Sequence, residues 1–154
     1  MNEILKLEEI LKLENVRILD SVKDWIEAIN VAVQPLVEQG YCESRYITGI
    51  IENTKKFGPY YVLCENLALI HASSEQGVIK KQIAVTVLKN PIKFKPDGYN
   101  VRILLVLAAE DSESHIEAIQ AISNIFSDKK RVQKILDAKS TEEIFNVFIN
   151  SVDN

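Results

Sequence analysis

The chain has two histidines, His71 and His115, and they are its best candidates for chemistry near neutral pH. His71 closes the apolar run Leu67-Ala68-Leu69-Ile70. His115 comes shortly after Val101–Ala109, in the first turn of a predicted helix. In open α/β sheets, sites gather at the carboxyl ends of strands. A neutral imidazole there can act as a base or as a nucleophile. A packed or surface histidine would also fit either position, and His115 shares the inward spacing of Ile119 and Ile122. The segment after His71 is Ala72-Ser73-Ser74-Glu75-Gln76-Gly77-Val78. Its hydroxyls at Ser73 and Ser74, and the backbone near Gly77, are the kinds of donor that hold phosphate oxygens. An ordinary loop between strands is the alternative.

Other candidates are weaker. No Gly-rich phosphate loop of the Walker type is present. Cys64 has no neighbouring His or Arg in sequence and is expected to be a buried structural thiol. Lys129-Lys130-Arg131 reads as a solvated helix end. Asp111 or Glu113 could orient the His115 ring, or simply cap its helix. Two histidines without suitably spaced Cys or carboxylate partners make no case for a metal, and no cofactor is expected.

Several elements must position these residues. Residues 3–13 place Ile4, Leu5, Ile10 and Leu11 among Lys and Glu, which predicts a short amphipathic helix. Val16–Leu19 reads as a short strand, after which Asp20 or Ser21 could cap a helix. That helix carries Val22, Trp25, Ile26, Ile29, Val33, Leu36 and Val37. Pro35 should kink it or end it early. Tyr46, Ile47, Ile50 and Ile51 mark a second helix, stopping near Phe57-Gly58-Pro59. The period then changes. Tyr60–Leu63 and Leu67–Ile70 are β-prone runs around a Cys64-Glu65-Asn66 turn. Gln82–Leu88 is a strand, with turns at Asn90-Pro91 and Pro96-Asp97-Gly98 around a short Ile92–Phe94 edge. Val101–Ala108 is almost wholly apolar, as in a strand covered on both faces. A helix from Ser112 carries Ile116, Ile119, Ile122 and Phe126. A short one carries Val132, Ile135 and Leu136. Ser140-Thr141-Glu142-Glu143 resembles a capping box before Ile144, Phe145, Phe148 and Val152. Together these imply an α/β layered domain with a mixed sheet of about five strands.

Composition sets the outer limits. A chain of 154 residues that is 47% hydrophobic and 26% charged suits one globular domain, residues 1–154, with 1–15 as a helical extension. A formal net charge of −4 argues against a nucleic-acid partner. The longest apolar run, Ile103–Ala109, is too short to span a bilayer, and no signal peptide is expected at the start. Two cysteines do not make a disulfide scaffold, so a reducing cytoplasm is the expected location.

A set of short motifs adds a family to this picture. Gly58-Pro59-Tyr60-Tyr61-Val62-Leu63, Leu67-Ala68-Leu69-Ile70-His71-Ala72 and Glu75-x-Gly77-Val78 resemble the enzyme IIA domains of the bacterial phosphoenolpyruvate-dependent sugar phosphotransferase system. The likeness is to the mannitol/fructose class (type 2), and within it to the L-ascorbate branch. Pro91-Ile92-Lys93-Phe94 resembles the family's strand-turn segment, and Val101–Ala109 with Asp111 and His115 its segment bearing a second histidine. The likeness runs from about Ser21 to Ser140.

The resemblance implies a mixed sheet of about five strands with helices on both faces. It also implies a phosphoryl relay. Phospho-HPr donates to His71, and phospho-His71 donates to a cysteine of enzyme IIB. The sugar is then phosphorylated on entry through the membrane component IIC. His115 would stabilise the phosphoryl group. Three positions depart from the family. Ile70 stands where a Pro usually precedes the acceptor. Ala72-Ser73-Ser74 replaces Ala/Gly-Arg-Pro. The mannitol members' helix arginine has no counterpart in Ile50–Lys56. Losing an arginine removes a bidentate phosphate donor, so a regulatory or binding module of the same fold is the alternative. Carrier docking is expected at an apolar rim near Tyr60, Leu69 and Ile70.

Overall fold

The computed structural model describes residues 7–150. Its centre is a five-stranded mixed sheet, β1 (Val16–Leu19), β2 (Val62–Cys64), β3 (Asn66–Ile70), β4 (Gln82–Lys93) and β5 (Asn100–Ala108), in the order β1-β4-β5-β3-β2. β1 runs parallel to β4, and β3 parallel to β5, while β4/β5 and β2/β3 are antiparallel. Alternation sends side chains to two cores. Leu69, Val85 and Ile103 pack with α3 (Ser112–Phe126), α4 (Lys129–Asp137) and α5 (Thr141–Ile149). Ile70, Leu88 and Leu104 pack with α1 (Trp25–Glu38) and α2 (Arg45–Phe57). Both faces are covered, which explains why β5 is apolar at nearly every position.

Five details differ from the sequence expectation. The first is at the start of the described chain. Two 3-10 turns, Leu7–Glu9 and Leu13–Asn15, replace a continuous helix, although Ile10 and Leu11 are buried. Ile4, Leu5 and Val152 lie outside the described residues. The second concerns the cap of α1. It is Asp24, whose Oδ1 accepts from Glu27 N at 2.9 Å, and not Asp20 or Ser21. Val22 therefore packs from the preceding loop.

The third concerns Pro35, which neither ends nor shortens the helix. Proline removes the N–H that would bond the carbonyl four residues back, that of Val31. The Arg17 guanidinium, reaching across from β1, donates to the Val31 carbonyl instead and lies 3.3 Å from Thr86 Oγ1. The orphaned acceptor is thus satisfied by a side chain far away in sequence.

The fourth is at Asn90-Pro91, which forms an irregularity within the long strand β4, between Val87 and Ile92, and not a turn. A proline that cannot donate to the ladder is tolerated at such a bulge. Asn90 donates there from both N and Nδ2 to Asp20 O, each at 3.0 Å. The fifth is Cys64, which is exposed on the edge strand and not buried. Cys42 is the buried thiol, with burial pushing it up to about 12. No helix among the described residues is long and apolar enough to cross a membrane.

Candidate active site

His71 leaves the carboxyl end of β3, just past the buried Ile70. His115 stands in the first turn of α3, which begins at the cap Asp111 just beyond β5. β3 and β5 are parallel neighbours, so their carboxyl ends lie side by side. The two rings meet there, with centroids 5.0 Å apart and planes at 50°. The expectation that both histidines sit at strand ends is thus met in one cleft.

The His71 ring is held in one orientation. Nδ1 lies 2.7 Å from the Leu69 carbonyl. A carbonyl only accepts, so in the neutral ring Nδ1 carries the proton and Nε2 the lone pair. Tyr60 stands edge-on to the ring at 5.4 Å, and its hydroxyl donates to the His71 carbonyl. Behind the site, the buried Tyr46 hydroxyl accepts from Ala72 N at 3.0 Å and donates to Leu107 O at 2.9 Å. This ties the segment after His71 to β5. Tyr61, also buried, shares a 2.8 Å hydrogen bond with Thr54 of α2.

His115 is half-buried, and its pKa lies below the usual imidazole value of 6.5. Burial is the main cause, and the neighbouring His71 ring adds to it. Asp111 does not orient the ring. Its Oδ1 accepts from Ser114 N at 2.8 Å, so its work is capping.

The segment after His71 is folded tightly. Ser73 caps a 3-10 turn, Ser74–Gln76, and donates from N and Oγ to Gln76 Oε1 at 3.3 and 3.2 Å. Gln76 also pairs with Asn53 of α2. Asn53 Nδ2 donates to Gln76 Oε1 at 3.0 Å, and Gln76 Nε2 donates to Asn53 Oδ1 at 3.3 Å. Gly77 follows with φ 138°, a conformation that favours glycine, and a Cβ there would meet Tyr46 N at 3.0 Å. Its N–H already donates to Ser74 O at 3.3 Å.

These parts enclose a cleft of about 630 Å³. His71, His115, Ser73 and Ser74 line it, as do Asn53, Phe57, Tyr60, Gln76 and Ser112. Gly77 does not. It shapes the loop, and the expectation that its backbone faces the site is corrected. Leu69 and Ile70 are buried core residues and form no rim, whereas Tyr60 and Phe57 are exposed beside the site. No Lys or Arg is among the lining residues, and Asp111 is the single carboxylate.

Sequence reasoning missed Asn53, Phe57, Gln76 and Tyr46 as site residues. Asn53 continues the inward spacing of Tyr46 and Ile50 with a polar group, a signal that could have marked it. Gln76 carries no local signal, because its partner is on another element.

The motif resemblance and the fold agree with comparison to known proteins. The chain matches the family "Phosphoenolpyruvate-dependent sugar phosphotransferase system, EIIA 2" over residues 9–151. The chain belongs to this enzyme IIA family. It is 30% identical, over 143 residues, to the mannitol-specific cryptic phosphotransferase enzyme IIA component of Escherichia coli K12, covering 93% of this chain and 97% of that one. The solution structure of the cryptic enzyme IIA CmtB from Escherichia coli superposes with a TM-score of 0.88 at 29% identity, covering 95% and 99% of the two chains. The ascorbate-specific EIIA component of the same strain is 32% identical over 133 residues, covering 85% and 86%. The Escherichia coli mannitol enzyme IIA, solved in complex with phosphorylated enzyme IIB, shares the fold at 24% identity with a TM-score of 0.77, covering 90% and 98%. Enzyme IIA components are phosphotransferases that carry phosphoryl groups.

Proposed function

We propose that this enzyme IIA accepts a phosphoryl group on His71 Nε2 from the phosphohistidine of HPr and passes it to a cysteine of enzyme IIB. The sugar then enters through the membrane component IIC. The observation that carries this reading is the 2.7 Å contact of His71 Nδ1 with the Leu69 carbonyl, which leaves Nε2 as the nucleophile. The Nε2 lone pair attacks phosphorus as the bond from phosphorus to the carrier's ring nitrogen breaks, and that nitrogen keeps the electron pair. His71 then bears a positive ring, and the Leu69 carbonyl stabilises its Nδ1–H. In the onward step the cysteine thiolate attacks, and neutral His71 leaves. Such transfers need mainly positioning and donors for the equatorial oxygens.

His115 supplies one donor. In the resting cleft, burial and the facing His71 ring disfavour its charge. A phosphoryl dianion on the facing ring reverses the local Coulomb sign, so His115 gains a proton and donates to it. Ser73 and Ser74 line the same cleft and add hydroxyl donors. L-ascorbate is the proposed type of sugar, after the relative named for it at 32% identity.

The test is reconstituted transfer. The chain is incubated with phosphoenolpyruvate, enzyme I and HPr, and intact mass is followed for wild type, His71→Ala and His115→Ala. One acid-labile phosphate is expected on wild type. It should be absent from His71→Ala and reduced or short-lived on His115→Ala, with circular dichroism unchanged. Folded wild type that takes no phosphate from charged HPr overturns the reading. One observation favours a second reading, a regulatory module: among the described residues no Lys or Arg lines the cleft. That reading expects phosphate on His71 without transfer to any enzyme IIB.

A further inference from the structure

The cleft must hold a phosphoryl dianion without a cationic side chain among its lining residues. It holds a reciprocal amide pair, Asn53–Gln76. Ser73 N–H is a certain donor, and it lies 3.3 Å from Gln76 Oε1, so that oxygen is the acceptor and the amide orientation follows. Gln76 Oε1 therefore accepts from Ser73 N, Ser73 Oγ and Asn53 Nδ2. Asn53 Oδ1 accepts from Gln76 Nε2. Both amide oxygens are engaged inside the network. Each –NH₂ group has two hydrogens and uses one in the pair; the second N–H of Asn53 faces the Tyr60 oxygen, and that of Gln76 has no hydrogen-bond partner among the described residues. Both residues of the pair line the cleft with His71.

Its position is constrained as well. A Cβ at Gly49 would stand 2.9 Å from Gln76 Nε2, so the glycine on α2 lets the Gln76 amide lie against the helix. The Tyr60 phenol links the pair toward His71. Burial raises its pKa, the Asn53 amide offsets part of that rise, and its hydroxyl donates to the His71 carbonyl.

Resting on the reading of His71 as phosphoryl acceptor, we propose that the Asn53–Gln76 pair is the neutral oxyanion donor of this cleft. It binds the equatorial phosphoryl oxygens through amide N–H groups, that of Gln76 directly and that of Asn53 shared with the Tyr60 oxygen, in the role a guanidinium fork fills elsewhere. Preorganised neutral donors at such a place are effective because they need no reorganisation when charge arrives.

The experiment compares wild type, Asn53→Asp, Asn53→Leu and Gln76→Glu in the full chain, each charged by phosphoenolpyruvate, enzyme I and HPr. The same set is charged by phosphoramidate, a small donor that needs no docking. Intact mass gives the rate of phosphorylation and the lifetime of phospho-His71, and thermal melting reports the fold. Both Asn53 variants break the pair, but Asp also brings negative charge to the phosphoryl site. The expected order is therefore wild type, then Asn53→Leu about tenfold slower, then Asn53→Asp on the order of 10²-fold slower, with both donors. Gln76→Glu should follow Asn53→Asp, and it serves if Asn53→Asp does not fold. Equal rates and lifetimes in wild type and folded variants overturn the inference alone. Asn53→Leu slowed as much as Asn53→Asp also overturns it, since loss of packing would then suffice. A wild type that gains no phosphate overturns the function reading itself, and this inference with it.

Discussion

The two faces of the sheet are built on different principles. The side covered by α3, α4 and α5 has a core made of Leu, Ile, Val, Ala and Phe. The side covered by α1 and α2 buries apolar groups too, but it also holds Tyr46, Tyr61, Thr54 and Thr86, with Arg17 half-buried among them. These polar groups are bonded in pairs and bridges: Tyr46 to Ala72 and Leu107, Tyr61 to Thr54, and Arg17 to Val31 and Thr86. Dispersion and burial on the first face are non-directional and set stability. Hydrogen bonds on the second face have direction, and they place the backbone around His71. From the apolar face, α3 carries His115 and Ser112 to the cleft, with its cap Asp111 and Ala109 beside them.

Three changes break or sharpen this contrast. The largest is Phe148→Ala on the apolar face, where Phe148 is fully buried. It should cost about 3–5 kcal/mol by urea unfolding, while phosphate uptake per folded molecule stays near wild type. An uptake loss beyond the unfolded fraction would mean that the apolar face also tunes the site.

Next comes Tyr46→Phe on the polar face. It removes the hydroxyl that joins Ala72 N to Leu107 O and leaves a backbone donor without that partner. About 1–3 kcal/mol of stability should be lost. Phosphorylation of His71 should slow even at temperatures where the variant is fully folded. Unchanged transfer in a destabilised variant would reduce the hydroxyl to a stability element.

The smallest effect is pH dependence. The pKa of His115 is lower in the folded chain than its ordinary 6.5. Between those two values the unfolded chain binds more protons, so stability rises with pH through the window and falls as pH drops below about 6.5. The urea midpoint of wild type should fall more between about pH 7 and pH 5 than that of His115→Gln. On phosphorylation of His71 the His115 titration should move upward, and an NMR titration of its ring protons would show it. A titration that stays put would remove His115 from phosphoryl stabilisation.

Much of the architecture was legible because strands and helices announce themselves by period. Val16–Leu19, Leu67–Ile70, Val101–Ala108 and the helix from Ser112 fall where alternation and 3.6-residue spacing put them. The motifs around His71 and His115 carried the family. What misled was local chemistry judged without its partners. Pro35 looked like a helix end because the group that satisfies Val31 lies on β1. Asn90-Pro91 looked like a turn because the Asp20 carbonyl that receives Asn90 belongs to a distant loop. Gly77 looked like a phosphate donor because its neighbours were unseen.

By itself, the sequence determined which stretches are strand or helix, which faces are apolar, and that two histidines follow strand ends. Those properties depend on residue type and short spacing, since burial rewards any apolar residue in the right period. Only the tertiary structure decided that β3 and β5 lie side by side, and so brought the His71 and His115 rings to 5.0 Å. It alone joined Asn53 to Gln76 and Tyr46 to Ala72. Directional bonds between distant segments depend on strand order and loop closure, and no local pattern encodes which partner a polar side chain will meet.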